Sequence, residues 1–142
     1  MIPANLFAYG TLMCEDIMQK VAGAVFKRLP GTVNGFCRYA VTGETYPGLT
    51  PEAGGTVDGC IYRDVSAQAW QQLDLFEGEM YGKMHVPVIC GDTTIPAFTY
   101  VVKPSFRHLF EKRQWNFSEF CRSGKELFMN RYGGFDRSTP YY

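Results

Sequence analysis

The sequence predicts an α+β fold in which a small, mixed β-barrel is flanked by helices and followed by a C-terminal helix. Three observations point to this class. Short runs of β-branched and aromatic residues are separated by glycine and proline turn signals, as in the strands of a sheet. These runs alternate irregularly with a few helical patterns, without the regular rhythm of a doubly wound sheet. The 142 residues, 46% of them hydrophobic, fit a single domain (residues 1–142) with its own core.

The first predicted element is a buried strand at residues 6–9, a short apolar run that is stopped by Gly10. A tight turn is expected at residues 10–13, because glycine allows the chain to bend sharply. A short helix is expected at residues 15–21. The turn therefore lies between the end of a strand and the beginning of a helix.

Several short strands are predicted between residues 25 and 43, where β-branched and aromatic residues are interrupted by turn signals at residues 30–31 (Pro-Gly) and 34–35 (Asn-Gly). The segment 46–51 contains two prolines, each of which fixes its own φ and restricts the residue before it. We therefore expect a stiff loop there. Another strand is predicted at residues 57–62.

The next predicted helix begins after Ser66 and ends at Gly78. Ser66 is a suitable N-cap, because its hydroxyl can accept a hydrogen bond from a free N–H of the first turn. One face of this helix is expected to pack on the core through Trp70, Leu73 and Phe76. A hairpin should follow, with strands at residues 86–89 and 95–102 that are joined at residues 91–92.

The tail, residues 104–142, predicts a helical extension to a core domain at about residues 5–103. Asn116 and Glu119 resemble a capping box at the start of a helix. The helix carries one apolar stripe, made of Phe117, Phe120, Cys121, Gly124, Leu127 and Phe128. Glycines at 133–134 indicate its end. We interpret the stripe as part of the core; the alternative is an exposed stripe on a scaffold that assembles through it.

Composition excludes several classes of function. Lysine plus arginine equals aspartate plus glutamate, so the net charge is zero, and neither nucleic acid nor an anionic membrane is an expected partner. No apolar stretch approaches the ~20 residues that span a bilayer, and the N-terminus does not resemble a signal peptide. The five cysteines lack C-x-x-C spacing, and scattered thiols indicate a reducing compartment. We therefore expect a cytoplasmic protein without a metal or cofactor.

The first candidate for chemistry is the turn formed by Tyr9, Gly10, Thr11 and Leu12, called the 9–12 turn below. A glycine at the end of a strand lets the backbone come close to a ligand, because no Cβ blocks the approach. Successive N–H groups in such a turn form a concavity that binds anions. A carboxylate or an oxyanion would suit this site. The alternative is an ordinary strand-to-helix turn.

The second candidate is a group of acids at the end of the Ser66 helix, namely Asp74, Glu77 and Glu79. The helix dipole disfavours negative charge at this end. Glu77 also follows two apolar residues, so its carboxylate is a candidate for partial desolvation. Burial and nearby like charge both raise a carboxyl pKa, which is the direction that a general base needs. The alternative is that all three carboxylates point into water.

Five pieces of the sequence follow one another in an order and at spacings that are specific as a set. They are Leu6-Phe7-Ala8-Tyr9-Gly10-Thr11-Leu12, Tyr46-Pro47-Gly48-Leu49, Val57-Asp58-Gly59-Cys60-Ile61-Tyr62, Leu73-Asp74-Leu75-Phe76-Glu77-Gly78, and Tyr81 with Val86-Pro87-Val88. With this set the chain resembles the gamma-glutamylcyclotransferase-like family, including its branch named after plant avirulence-induced proteins. Residues 104–142 match that family only loosely.

The resemblance implies a fold and a reaction. The family fold is a small mixed β-barrel with flanking helices. The 9–12 turn would hold a glutamyl head group through backbone amides, with Gly48 and Tyr81 also at the substrate site, and Glu77 would be the general acid/base. The implied reaction cyclises a γ-glutamyl amine or γ-glutamyl amino acid to 5-oxoproline and releases the amine. Such acyl-transfer or lyase chemistry needs no cofactor.

Two departures from the family pattern concern the substrate. Lys83 stands where many members have arginine, two residues after Tyr81, so a substrate contact at this position would differ. The tail would also be able to cover or reshape the pocket. A competing interpretation is a binding module that keeps the pocket without catalysis, although an intact Glu77 argues against it. The γ-glutamyl compound and the oligomeric state, a monomer included, stay open.

Overall fold

The computed structural model describes residues 4–132 of the chain. Its strands are β1 (Ala4–Ala8), β2 (Arg28–Val41), β3 (Pro47–Val65), β4 (Tyr81–Cys90), β5 (Thr93–Val102) and β6 (Phe110–Gln114). Its helices are α1 (Glu15–Ala22), α2 (Ala67–Glu77), α3 (Phe117–Glu119) and α4 (Lys125–Tyr132). A π-helical segment, Phe120–Gly124, joins the last two, and the three together are called the tail helix. Short 3-10 segments occupy Thr11–Met13 and Pro104–Leu109.

The described strands form one six-stranded sheet in the order β3-β1-β5-β4-β2-β6. Because β2 also pairs with β3, strands β1 to β5 close into a ring, and β6 pairs with β2 beyond it. The sheet is mixed, since β1 and β5 are parallel at Leu6↔Phe98 while the other pairings are antiparallel. The predicted α+β class is confirmed, and this ring stands where we expected a small barrel.

Two predictions about the middle of the chain are wrong. Residues 28–41 form one strand, β2, without turns at residues 30–31 and 34–35. Gly31 lies inside the strand, where a Cβ would come within 2.5 Å of a Val88 methyl carbon. Gly35, with φ of +85°, accompanies a shift of register between Asn34 and Phe36, as in a β-bulge. The glycines therefore serve packing and bulging within one strand.

The expected stiff loop at residues 46–51 is instead the first part of β3. Pro47 pairs with Ala40 and Pro51 pairs with Phe36, both on β2. Proline is tolerated in a strand where its missing N–H would face no partner. This condition holds here, because β1 pairs only with residues 60–65 of β3 and leaves the first part of β3 without a second neighbour.

The core has two layers, and β1 contributes to both because successive side chains of a strand point to opposite faces. Phe7 packs inside the ring with buried residues of β2 to β5, including Val33, Leu49, Ile61 and Val88. Leu6 packs on the other side of β1 with residues of α1 and α2, including Met18 and Leu73. The helices thus cover one side of the ring.

The helix and hairpin predictions between residues 66 and 102 are confirmed. The Ser66 hydroxyl accepts a hydrogen bond from the Ala69 N–H at 3.2 Å, and α2 ends at Gly78, whose φ is +75°. The hairpin strands β4 and β5 are longer than expected, because their pairing continues from Cys90↔Thr93 to Tyr81↔Val102.

The tail packs on the core, although the tail predictions hold only in part. Asn116 caps the tail helix by accepting a hydrogen bond from the Glu119 N–H at 2.9 Å. Phe120 and Phe128 are buried, so the exposed-scaffold interpretation is wrong for these residues. Cys121 and Leu127 are exposed, because a π-helical turn adds a residue and rotates the apolar face. The expected stop at residues 133–134 lies outside the described residues, and the tail also contains β6.

Phe120→Ala should lower the free energy of unfolding by about 3–5 kcal/mol, because it removes a buried aromatic ring and leaves a cavity. Leu127→Ala is the matched control, since Leu127 belongs to the same predicted stripe but is 51% exposed. Its effect should stay within about 0.5 kcal/mol. Urea denaturation of both variants measures the difference. Equal effects would contradict the packing of the tail helix described here.

Candidate active site

A cavity of about 130 Å³ opens at the end of β1. Its lining comes from β1 and the turn after it, from the start of β3, from α2, β4 and β5, and from the tail helix: Leu6, Phe7, Ala8, Tyr9, Gly10, Thr11, Leu12, Tyr46, Pro47, Phe76, Glu77, Met80, Tyr81, Tyr100 and Phe128. Among these described residues, Glu77 alone carries a carboxylate and none carries a cationic side chain. The cavity is therefore an apolar and aromatic pocket with one acidic group.

The 9–12 turn forms one wall of the cavity. Its hydrogen bonds run from the Met13 N–H to the Gly10 carbonyl (3.0 Å) and from the Cys14 N–H to the Thr11 carbonyl (3.1 Å). The three amides before Met13 donate to no residue in the part of the chain that the structure describes. Gly10 is required by close packing, since a Cβ there would lie 2.7 Å from Cγ of Pro47. The turn thus presents free N–H groups beside the cavity.

Side chains of β2 and β3 bind the carbonyl groups of the same segment. Arg38 donates to the Tyr9 carbonyl at 2.7 Å, and the Tyr62 hydroxyl donates to the Leu12 carbonyl at 2.6 Å. Arg28 donates to the Met13 carbonyl at 2.6 Å. Because these carbonyls are occupied by protein donors, the turn is held from the sheet side and its amides are left for another acceptor.

Glu77 is the last residue of α2, and it is partly buried beside the cavity. Burial, and to a smaller extent the negative charge of Asp74, raise the pKa of the Glu77 carboxyl to about 8. Among residues 4–132, no side chain or backbone N–H makes a hydrogen bond or ion pair with this carboxylate. A desolvated carboxyl without a protein partner can accept and return a proton near neutral pH.

Asp74 lies one turn earlier on α2, and its charge is held by two neighbours. It accepts a hydrogen bond from the Tyr100 hydroxyl at 2.7 Å and forms a 3.3 Å ion pair with Lys83. Lys83 also lies 4.8 Å from the ring centroid of Trp70. Lys83 does not line the cavity. The lysine that stands at this position in place of the family's arginine is therefore a partner of Asp74 and not a cavity residue.

Three tyrosines of the cavity, Tyr9, Tyr81 and Tyr100, donate from their hydroxyls to other described residues. Tyr9 donates to the Tyr100 carbonyl at 2.6 Å, and Tyr81 donates to the Pro47 carbonyl at 2.8 Å. Burial raises the pKa of Tyr9, Tyr81 and Tyr100, so these phenols stay neutral. Their hydrogen bonds connect the strands around the cavity, since Tyr9 binds β5 and Tyr81 of β4 binds β3.

The structure brings most of the sequence-predicted site residues to one cavity. Its lining includes the four residues of the 9–12 turn, Glu77 and Tyr81. Gly48 lies in β3 outside the lining, where a Cβ would meet a Val102 methyl group and the ring of Phe110 at 2.7 Å. Close packing therefore explains why residue 48 is a glycine. Glu79 is exposed and also lies outside the lining.

Nine of the lining residues were not singled out from the sequence as site residues. Six of them lie in the matched pieces of sequence, namely Leu6, Phe7, Ala8, Tyr46, Pro47 and Phe76, whereas Met80, Tyr100 and Phe128 do not. Tyr46 begins the matched Tyr46-Pro47-Gly48-Leu49 piece, which was the available signal. Phe128 belongs to the predicted tail stripe, which indicated burial but could not show that the burial is against a cavity. Tyr100 shares a face of β5 with Phe98 and Val102. The sequence shows this alternation, but it does not show which face lies at the cavity, because that depends on how the sheet closes into a ring.

No group of three or more histidine, cysteine, aspartate or glutamate side chains among the described residues is arranged to hold a metal ion. Within the same residues, no helix is long and apolar enough to cross a membrane. The chemistry of the cavity is therefore considered below from the carboxylate, the amides and the aromatic walls that this chain itself provides.

Residues 6–117 match the family described as gamma-glutamyl cyclotransferase, AIG2-like. The chain belongs to this family. The AIG2-like protein C of Arabidopsis thaliana is 28% identical to this family member over 88% of the chain and 73% of the relative. The expectation drawn from the ordered sequence pieces is thereby confirmed.

Solved structures agree with the family assignment. A solution structure from Arabidopsis thaliana is similar to this family member with a TM-score of 0.68 and 25% identity, over 93% of this chain and 89% of that one. The crystal structure of an AIG2-like protein from Mus musculus has a TM-score of 0.67 and 24% identity, with 84% and 91% covered. The family match includes every lining residue of the cavity except Phe128, which the tail contributes.

The titration of Glu77 should depend on Asp74. We expect NMR of the Glu77 side-chain carboxyl carbon to give a midpoint of about 8 in the wild-type protein. Asp74→Asn removes the like charge but keeps an oxygen that can accept from Tyr100, so the midpoint should fall. It should remain above about 4.3, the value of an exposed glutamate, because burial is the larger cause. Glu79→Gln is the control, and an unchanged midpoint in Asp74→Asn would contradict the coupling.

The raised pKa of Glu77 also predicts how stability changes with pH. The folded-state pKa lies above the unfolded value of about 4.3, so the unfolded chain releases this proton first as the pH rises. The free energy of unfolding should therefore decrease between about pH 4.3 and pH 8, and Glu77→Gln should lack this part of the decrease. Urea denaturation at about pH 5 and about pH 9 should show a larger advantage of the variant at high pH. If the variant were more stable than the wild type by the same amount at both pH values, the predicted contribution of Glu77 would be contradicted.

Proposed function

We propose that the protein cyclises the γ-glutamyl group of a γ-glutamyl amine or γ-glutamyl amino acid to 5-oxoproline and releases the amine. One observation carries the proposal: the Glu77 carboxyl, with a pKa raised to about 8, lies on the same small cavity as the amides of the 9–12 turn, and neither has a hydrogen-bond partner among residues 4–132. This pairs a group that moves protons with groups that bind negative charge. Membership of the gamma-glutamyl cyclotransferase family supports the same reaction.

The reaction begins with a proton transfer. The α-ammonium group of the substrate has no lone pair, so it attacks only after Glu77 has taken a proton from it. An ammonium group beside Glu77 also favours the ionised carboxylate, because opposite charges in a desolvated site attract strongly. The bound substrate therefore brings the base into the form that the first step requires.

The free amine then adds to the γ-carbonyl carbon and closes a five-membered ring. Holding the substrate folded for this attack is a task of positioning, which the aromatic walls of the cavity perform. The carbonyl oxygen becomes an oxyanion, and an N–H of the 9–12 turn donates to it. Attack leaves the ring nitrogen with two hydrogens and a positive charge. As the oxyanion collapses, the bond from the γ-carbon to the leaving nitrogen breaks, and Glu77 returns its proton to that nitrogen. The ionised Glu77 then takes the second proton from the ring nitrogen and passes it to the departing amine, which leaves as an ammonium. The products are 5-oxoproline and the free amine.

The amides also account for recognition of the head group. None of the described lining residues has a cationic side chain, so an α-carboxylate entering the cavity has the turn amides as its donors. Two neighbouring N–H groups can each bind one carboxylate oxygen. The phenols, which stay neutral, add no negative charge that would repel the carboxylate.

Glu77→Gln should preserve the fold and lower turnover on the order of 10²–10⁴-fold, because the amide cannot accept and return the proton. The assay is release of 5-oxoproline from γ-glutamyl amines, γ-glutamyl dipeptides and glutathione. Glu79→Gln is the matched control, since it changes an exposed acid two residues further on and should have little effect. Near wild-type turnover by a folded Glu77→Gln variant would remove Glu77 from this role. Binding of these compounds without release by the wild-type protein would favour a non-catalytic module.

A further inference from the structure

The guanidinium of Arg38 lies where β1 leaves the sheet and enters the 9–12 turn. The last pair between β1 and β3 is Ala8↔Cys60. Beyond it, Nη1 of Arg38 donates to the Tyr9 carbonyl at 2.7 Å and to the Asp58 carbonyl at 3.1 Å. One nitrogen of a β2 side chain therefore binds the carbonyl of the residue after β1 and a carbonyl of β3, at the point where the pairing of β1 with β3 ends.

This guanidinium is partly desolvated and has few partners. Burial lowers the pKa of Arg38, and Nε is buried without a hydrogen bond to any described residue. One face of the group is covered by Trp115, whose ring centroid lies 5.3 Å from the guanidinium carbon. Burying a charge without full hydrogen bonding is costly. Closing the sheet alone does not need a cation, since two carbonyls could be satisfied by neutral donors.

The geometry of the peptide group links Arg38 to the cavity. In a planar trans peptide, the C=O and the N–H of the next residue point in opposite directions. The Tyr9 carbonyl and the Gly10 N–H belong to one such peptide. With the carbonyl directed to Arg38, the N–H is directed to the other side of the chain, and Gly10 lines the cavity there. A cation on the carbonyl also polarises the peptide and strengthens its N–H as a donor.

We propose that Arg38 is a positioning residue for the reaction: by binding the Tyr9 carbonyl, it orients and polarises the Gly10 N–H as the donor to the oxyanion. This inference rests on the proposed function. A strengthened donor has its largest effect where negative charge develops during the reaction, and the amides of Thr11 and Leu12 remain for the head-group carboxylate. Trp115, which covers the guanidinium, connects the start of the tail to the same peptide.

The test compares Arg38→Met, which removes the donor, with Arg38→Lys, which keeps a charged one. We expect Arg38→Met to lower kcat by about 10-fold or more with little change in KM, because the lost interaction strengthens in the transition state. Arg38→Lys should recover part of kcat. Arg63→Met is the matched control: Arg63 is also partly buried with an unpartnered Nε among the described residues, but unlike Arg38 it donates to no carbonyl of the 9–12 turn.

A second measurement separates positioning from general stability. In a ¹⁵N-labelled protein, the Gly10 amide nitrogen should shift upfield in Arg38→Met, because it loses the hydrogen bond on the preceding carbonyl, and should not shift in Arg63→Met. An unchanged kcat and Gly10 resonance in a folded Arg38→Met variant overturns the inference, as does a rise in KM alone. If Arg38→Met does not fold, Arg38→Gln replaces it under the same criteria. Wild-type protein that releases no 5-oxoproline from any substrate overturns the proposed function itself.

Discussion

The antiparallel pairing of β2 with β3 runs from Arg28↔Tyr62 to Ala40↔Pro47 and closes the sheet into a ring. Every feature of the cavity depends on this pairing. It places Pro47 so close to residue 10 that only glycine fits there, and it brings Arg38 within hydrogen-bond distance of the Tyr9 carbonyl. The ring interior is filled by Phe7 and its neighbours, so the turn that follows β1 leaves a packed strand at a defined angle. A loosely joined sheet would not hold the turn amides in one direction.

The tail adds a second constraint, because it contacts α1 and the segment before β3 and contributes Phe128 to the cavity lining. Lys125 pairs with Asp16 of α1 at 3.0 Å, and the Trp115 indole N–H donates to the Thr45 carbonyl at 2.7 Å. Exposed ion pairs contribute little by themselves, so the buried aromatic rings must supply most of the attachment. Phe120 and Phe128 stack edge to face, with ring centroids 5.8 Å apart. The tail is thus part of the framework that surrounds the cavity.

The site is built from groups that would each be unfavourable in an ordinary core. A desolvated carboxylate and N–H groups without protein acceptors both cost free energy in the folded state. The two well-packed layers of the core offset this cost. The same groups are complementary to a zwitterionic ligand, which would bring an ammonium to the carboxylate and a carboxylate to the amides. Unfavourable polar groups of this kind are expected at a cavity where a protein keeps them for a ligand.

Local patterns in the sequence determined much of this protein. The capping residues Ser66 and Asn116 predicted where two helices begin, because a cap is a contact within one turn. The ordered pieces around the 9–12 turn and Glu77 predicted the family and six of the cavity-lining residues. The strand predictions for residues 25–51 failed, because proline and glycine also occur in strands where a neighbour is absent or packs closely. Only the tertiary structure decided that Gly48 serves packing, that Phe128 reaches the cavity, and that Arg38 binds the Tyr9 carbonyl. These are contacts between residues far apart in the chain, and they exist only once β2 and β3 have closed the ring.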